Sequence, residues 1–259
     1  MSGTALVTGS TSGIGKALAI KLAQENYDLI LVARNQEKLQ KQAVALRELY
    51  GVDVHIIRAD LEKQGAAKYV FDIVQKLKKR VDVIVNNAGF NEFGSFLQTN
   101  IENENKMISL HISFVTELMK YFIPQMISNK LGYILNLGST GSYMYCPNDA
   151  VYAATKAYVL SVSKAINGEL KGTGVSITTL CPGSTQTEFA SKAGMEDTLL
   201  FKMFVMKPEK VAAIGYHAMK KRKVSIVAGG YNKVLVFFAK LLPGFILTPL
   251  TKYMLTKRG

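Results

Sequence analysis

Cysteine is scarce: Cys146 and Cys181 are the only two among 259 residues. Two thiols in so long a chain make no disulfide framework, and their spacing fits no metal-ligand pattern. A reducing compartment, the cytoplasm, is the expectation. Long hydrophobic runs are missing too. No stretch of about 18 uncharged apolar residues occurs, so no membrane-spanning helix is expected. A strand-like apolar run begins by Thr4, which leaves no room for the charged and apolar regions of a signal peptide. Acids are lacking in one region only. From residue 202 onward twelve Lys and Arg face a single acid, Glu209, whereas residues 1–201 are nearly neutral. The net charge of +13 therefore sits almost wholly at the C-terminal end. With no internal repeat, low-complexity tract or linker visible, residues 1–259 read as one domain, with 230–259 as a basic amphipathic extension.

What is present is an alternation of short apolar runs with longer amphipathic stretches. Thr4–Thr8, Asp28–Ala33, Asp53–Arg58, Asp82–Asn86, Tyr133–Leu137, Ser176–Leu180 and Val224–Val227 read as strands. Gly13–Asn26, Gln36–Tyr50, Gln64–Lys79, Asn105–Asn129, Ala150–Lys171 and Lys207–Lys221 read as helices between them. Runs such as Asp28–Ala33 are continuously apolar after the first residue, the pattern of strands covered on both faces. Strand–helix alternation of this kind gives a doubly wound parallel sheet of Rossmann type, a three-layer α/β/α sandwich.

The first strand runs into Thr8-Gly9-Ser10-Thr11-Ser12-Gly13-Ile14-Gly15. Glycines at a strand-to-helix turn let the backbone approach a pyrophosphate, and the helix N-terminus offers free N–H groups and a positive dipole end. Gly9, Ser10, Thr11, Ser12, Gly13, Ile14 and Gly15 are the candidate phosphate cradle. An acid at the end of the second strand would select NAD by binding both ribose hydroxyls. This chain has Ala33 and then Arg34, with Lys38 one turn later. A cationic pair there favours a 2′-phosphate, so NADP(H) is expected over NAD(H).

Tyr152 and Lys156 share one helix face at i, i+4, and Ser139 ends the fifth strand. Carbonyl reduction needs a proton donor beside the oxygen that becomes an alcohol. A nearby ammonium favours the phenolate and is expected to lower the tyrosine pKa from about 10. Taken with Asp60-Leu61, Asn86-Asn87-Ala88-Gly89 and Pro182-Gly183 followed by Thr187, these motifs stand in one order over about residues 3–230. In that combination the chain resembles the short-chain dehydrogenase/reductase family, in its compact single-domain branch.

The resemblance implies roles. Asp60 and Leu61 would flank the adenine, and Asn87, Ala88 and Gly89 would pass beneath its ribose. Tyr152 would be the acid/base, Ser139 would orient the substrate oxygen, and Lys156 would hold the nicotinamide ribose. Pro182, Gly183, Ser184 and Thr187 would embrace the nicotinamide. One departure stands out: His111 occupies the position where relatives place an asparagine whose backbone carbonyl holds a relay water. His111 is either a member of an altered proton relay or a packed histidine without a chemical role. His55 and His217 read as structural, Cys181 as a buried small hydrophobe, and Cys146 has no assigned role. Relatives also imply a homodimer or homotetramer.

The segment after Pro182 carries Phe189, Met195, Leu199, Leu200, Phe201, Met203, Phe204, Val205 and Met206, and Tyr143, Met144 and Tyr145 follow the Ser139 strand. An apolar, Met-rich lining of this kind favours a small hydrophobic carbonyl or alcohol substrate, ketoacyl or steroid-like. Beyond Gly230, apolar residues alternate with Lys233, Lys240, Lys252, Lys257 and Arg258, and Pro243-Gly244 and Pro249 are expected to break any single long helix. Such a tail suits peripheral contact with an anionic membrane, or packing on the pocket or a second subunit. Its charges are interleaved with aliphatic side chains, and no nucleic-acid module is visible, so no nucleic-acid partner is expected. An oxidoreductase is the leading reading; a non-catalytic dinucleotide sensor or scaffold is the alternative, which an intact Ser139–Tyr152–Lys156 set argues against.

Overall fold

The computed structural model describes residues 3–202 and 205–256. Seven strands, β1 (Thr4–Thr8), β2 (Asp28–Ala33), β3 (Val54–Arg58), β4 (Val81–Asn86), β5 (Gly132–Leu137), β6 (Val175–Cys181) and β7 (Ser225–Val227), form one sheet in the order β3-β2-β1-β4-β5-β6-β7. Every pairing is parallel. The Val-, Ile- and Leu-rich runs expected to be covered on both faces are so: β1, β4 and β6 are buried at every residue.

Parallel neighbours need crossovers, and right-handed crossovers distribute helices over both faces. One face carries α1 (Gly13–Gln24), α2 (Gln36–Tyr50) and α9 (Pro208–Lys220), packed through Leu18, Leu22, Leu39, Val211 and Tyr216. The other carries α3 (Ala66–Lys76) and α5 (Val115–Ser128), packed through Val70, Val74, Leu118 and the fully buried Phe122. Successive strands are laid down to one side of β1 as far as β3 and to its other side from β4 onward, and that switch opens a crevice at the C-terminal strand ends.

Boundaries differ from expectation at three places. The long helix expected from Asn105 begins as α4 (Ile101–Ile108), because the Asn100 side chain accepts from the Glu102 and Asn103 amides and caps it. It passes through a widened π turn at Ser109–Phe114 before α5 continues it. The β6–β7 connection also holds two short helices, α7 (Glu188–Ala193) and α8 (Leu199–Lys202). In the C-terminal extension, Pro243 does separate two helices, α10 (Gly230–Leu241) and α11 (Gly244–Leu255). Pro249 does not break the chain as expected: it lies inside α11, where its missing N–H and ring are tolerated. The tail helices bury Asn232, Val236, Ala239, Leu247, Thr251 and Leu255, with α11 set against α8. Lys257 and Arg258 of the basic tail, and Met203 and Phe204 of the expected lining, lie outside the described residues.

Candidate active site

A cleft of about 710 Å³ runs along the C-terminal strand ends. At its floor, Gly9 turns the chain with φ of +62° and Gly15 lets two backbones touch: a Cβ on Gly15 would stand 2.2 Å from the Gly9 carbonyl oxygen. The turn is clamped from β4. Thr8 Oγ1 accepts from the Asn87 and Ala88 amides at 3.0 and 3.1 Å, and Asn87 Nδ2 donates to the Thr8 and Gly9 carbonyls. Ser12, the residue before α1, makes no side-chain cap, so the first helical N–H groups stay available to an anion. Gly9, Thr11, Ser12, Gly13, Ile14, Arg34, Lys38, Leu61, Asn87, Ala88, Gly89, Pro182, Gly183, Ser184 and Thr187 all line the cleft. Ser10 is fully buried and Gly15 serves the close approach just described; neither lines it, and Asp60 instead accepts from the Glu62 amide. The uncapped helix end and the bare glycine backbone fit a dinucleotide pyrophosphate.

Arg34 is not a lone cation. Its guanidinium pairs with Glu62 at 2.8 Å, and both residues line the cleft. Sequence reasoning missed Glu62, because the pair bridges two loops 28 residues apart.

Ser139, Tyr152 and Lys156 meet at the other end of the cleft. A short 3₁₀ turn, Thr140–Tyr143, follows β5, and helix α6 (Ala150–Glu169) carries Tyr152 and Lys156. Lys156 Nζ lies 5.6 Å from the Tyr152 ring centre and donates to the Leu137 carbonyl at 3.0 Å. Burial pushes the Lys156 ammonium down to about 8. The expected lowering of the Tyr152 phenol is not what this geometry gives. Burial is the largest influence and raises it, the Asp149 charge raises it further, and a hydrogen bond with Ser139 opposes both.

His111 sits in the π turn, 1% exposed. Thr155 Oγ1 donates to the Tyr152 carbonyl, so it accepts from His111 Nδ1–H at 2.9 Å. Burial and the Lys156 charge hold the imidazole well below its usual pKa, hence neutral. Nε2 is then the bare acceptor; it has no partner among the described residues and faces Gly89, where a Cβ would stand 2.6 Å away.

Phe189, Met195, Leu200 and Phe201 line the substrate end, joined by Phe90. Leu199, Val205, Met206, Tyr143, Met144 and Tyr145 do not; Met206 is bridged to Thr185, and the Tyr145 carbonyl accepts from Thr251 of α11. Two polar residues there were not foreseen. Asp149 Oδ1 accepts from Asn91 Nδ2 at 2.7 Å, and both side chains are buried. An Asp immediately before a helix reads as a cap, which concealed it; here the carboxyl makes no cap. Burial pushes Asp149 up to about 7 from 3.8. The folded chain thus holds a proton that the unfolded chain releases, and stability falls as pH rises from about 4 to about 7. Asp149→Asn is expected to gain stability over the parent across that window, by at most on the order of 4 kcal/mol. Urea unfolding at both ends of the window checks this, and a pH-independent difference would contradict it.

The likenesses to known proteins agree with this geometry. A family profile described as short chain dehydrogenase matches residues 3–197. The 17-beta-hydroxysteroid dehydrogenase type 3 of Mus musculus is 29% identical over 255 residues, 96% of this chain and 83% of that protein. A solved short-chain dehydrogenase from Sphingobium yanoikuyae, in complex with NADPH, superposes with a TM-score of 0.82 at 28% identity, covering 92% of this chain and 94% of that one. A solved 7beta-hydroxysteroid dehydrogenase gives a TM-score of 0.85 at 25% identity, covering 96% of each. With a dinucleotide cleft at its sheet switch and a Ser–Tyr–Lys cluster beside it, the chain belongs to the short-chain dehydrogenase family, oxidoreductases that act on CH–OH groups.

Proposed function

We propose that the protein reduces the carbonyl of an apolar ketone with NADPH, through Ser139, Tyr152 and Lys156. The observation that carries the reading is the convergence of a phenol, a buried ammonium and a serine hydroxyl at one end of a cleft whose other end suits a pyrophosphate. When bound, the nicotinamide supplies the hydride. Tyr152 gives its proton to the oxygen that becomes the alcohol. Burial raises the phenol further above neutrality, so Tyr152 holds a proton ready to give. Ser139 Oγ orients the same oxygen. Lys156 places a positive charge beside Tyr152 as the phenolate forms, held there by the Leu137 carbonyl. His111, neutral and fixed through Thr155, holds the Tyr152 turn of α6 in place and keeps its free Nε2 toward the Gly89 backbone. Gly9, Thr11, Ser12, Gly13, Ile14, Leu61, Asn87, Ala88, Gly89, Pro182, Gly183, Ser184 and Thr187 complete the cofactor site, shaped from behind by Ser10, Gly15 and Asp60.

The NADPH preference rests on Arg34 and Lys38 at the β2 end, with Glu62 giving up Arg34 to the 2′-phosphate. The apolar substrate rests on Phe189, Met195, Leu200 and Phe201, and the hydroxysteroid dehydrogenases among the relatives point the same way. We further propose that α10 and α11 rest on an anionic membrane surface. Phe237, Phe238, Leu241, Phe245 and Tyr253 are all more than half exposed, with Lys233, Lys240 and Lys252 among them. No described helix is long and apolar enough to cross a membrane.

Three outcomes follow. Tyr152→Phe is expected to lose roughly 10²–10⁴-fold in kcat while still binding NADPH; near-normal turnover would remove Tyr152 from the chemistry. Arg34→Ala should reduce the NADPH-over-NADH preference in kcat/KM by roughly tenfold; an unchanged ratio would remove Arg34 from cofactor selection. The protein should co-sediment with phosphatidylserine-containing vesicles, less so at high salt, and a Phe237→Asp, Phe245→Asp variant should stay in solution. Equal recovery of parent and variant in the supernatant would dispose of the membrane contact.

A further inference from the structure

The buried pair Asn91–Asp149 holds neither the cofactor nor the reacting oxygen, yet both residues line the cleft beside Tyr152. Asp149 stands at the N-cap of α6, and its carbonyl accepts from the Ala153 amide as a cap should. Its carboxyl turns away from the helix and accepts from Asn91 Nδ2. The two loops involved are held together by Gly94 N–H donating to the Asn148 carbonyl at 2.9 Å. Asn91 Nδ2 also lies 3.1 Å from Met195 Sδ, on the segment that covers the cleft. The Asn91 amide nitrogen is therefore spent, while Asn91 Oδ1, on a side chain 7% exposed, has no partner among the described residues. A buried acceptor left bare carries a desolvation penalty that a ligand donor would relieve.

We propose that Asn91 and Asp149 form a second polar subsite in the substrate cleft, which takes a hydroxyl group carried on the substrate near the reacting carbon. The proposal rests on the ketoreductase reading and adds to it: the substrate is an apolar ring body with two oxygen functions. A hydroxyl matches the subsite because it both donates and accepts. It donates to Asn91 Oδ1 and accepts from the Asp149 carboxyl, which burial keeps partly protonated near neutral pH. An ammonium only donates, and would have to be desolvated against Phe90, Phe189 and Met195. The subsite lies close to the reacting oxygen: Asp149 and Tyr152 both line the cleft, and the Asp149 carboxyl is near enough to act on the Tyr152 phenol.

The test is direct binding to NADPH-saturated Tyr152→Phe protein, measured by titration calorimetry so that no turnover is needed. The probes are decalone, its hydroxy regioisomers and the matching amino derivatives. At least one hydroxydecalone is expected to bind roughly tenfold tighter than decalone. Asn91→Leu and Asp149→Leu should each remove that preference, with Asp149→Asn restoring part of it and NADPH affinity serving as the control for folding. Should either leucine variant fail to fold, the other together with Asp149→Asn decides the matter. Equal binding of decalone and every hydroxydecalone, a preference that survives both leucine variants, or an aminodecalone as the tightest ligand would overturn the subsite. Absence of turnover by the parent protein would instead remove the ketoreductase reading and leave this binding comparison standing.

Discussion

Lys156 is a charged side chain with 6% of its surface exposed and one fixed acceptor, the Leu137 carbonyl at the end of β5. Burying an ammonium is costly unless its donors are engaged, and the burial pulls its pKa down toward neutrality. That contact does more than satisfy the charge. It ties the second turn of α6 to the strand end from which Ser139 projects, and Ser142 Oγ donates to the Lys156 carbonyl at 2.8 Å to complete the tie. The relative position of phenol, hydroxyl and ammonium is therefore set by backbone groups of two different elements, which is the preorganisation that proton transfer needs.

The other half of the cleft depends on a similar economy. Thr8 closes β1 with a hydroxyl that donates to the Val85 carbonyl and accepts two amides from the segment after β4. One side chain thus joins the two strands between which the order of strand addition switches. The Thr187 methyl lies close against Gly13, so the chain after β6 reaches the same turn. Three separate segments meet at this turn, and glycine at 9, 13 and 15 is what lets them approach.

Much of this was legible in the residues. Buried parallel strands announce themselves as apolar runs, and the seven expected strands lie within a residue or so of those found. The glycine turn was visible at the junction of a strand and a helix, and Tyr152 and Lys156 by their spacing of one helical turn. What escaped notice was set by tertiary contact. The Asn100 cap starts α4 on a polar stretch with no hydrophobic period to betray it. Arg34 read as a free cation, because nothing local points to Glu62. Asp149 drew no attention, because only the fold sets its carboxyl against Asn91, 58 positions away. The tyrosine pKa was misjudged for the same reason: the spacing of Tyr152 and Lys156 is written in the sequence, whereas the burial that outweighs their attraction is not.

The central claim is that this cleft passes a hydride from a nicotinamide to a carbonyl carbon while Tyr152 supplies the proton. Reduction of an apolar ketone with NADPH deuterated on the transferable face, in ordinary water, followed by mass and NMR analysis of the alcohol, tests it most directly. One deuterium on the carbinol carbon, in a single stereochemical sense, is the predicted result. An alcohol carrying no deuterium at that carbon, or no alcohol at all across a broad set of ketones, would contradict it.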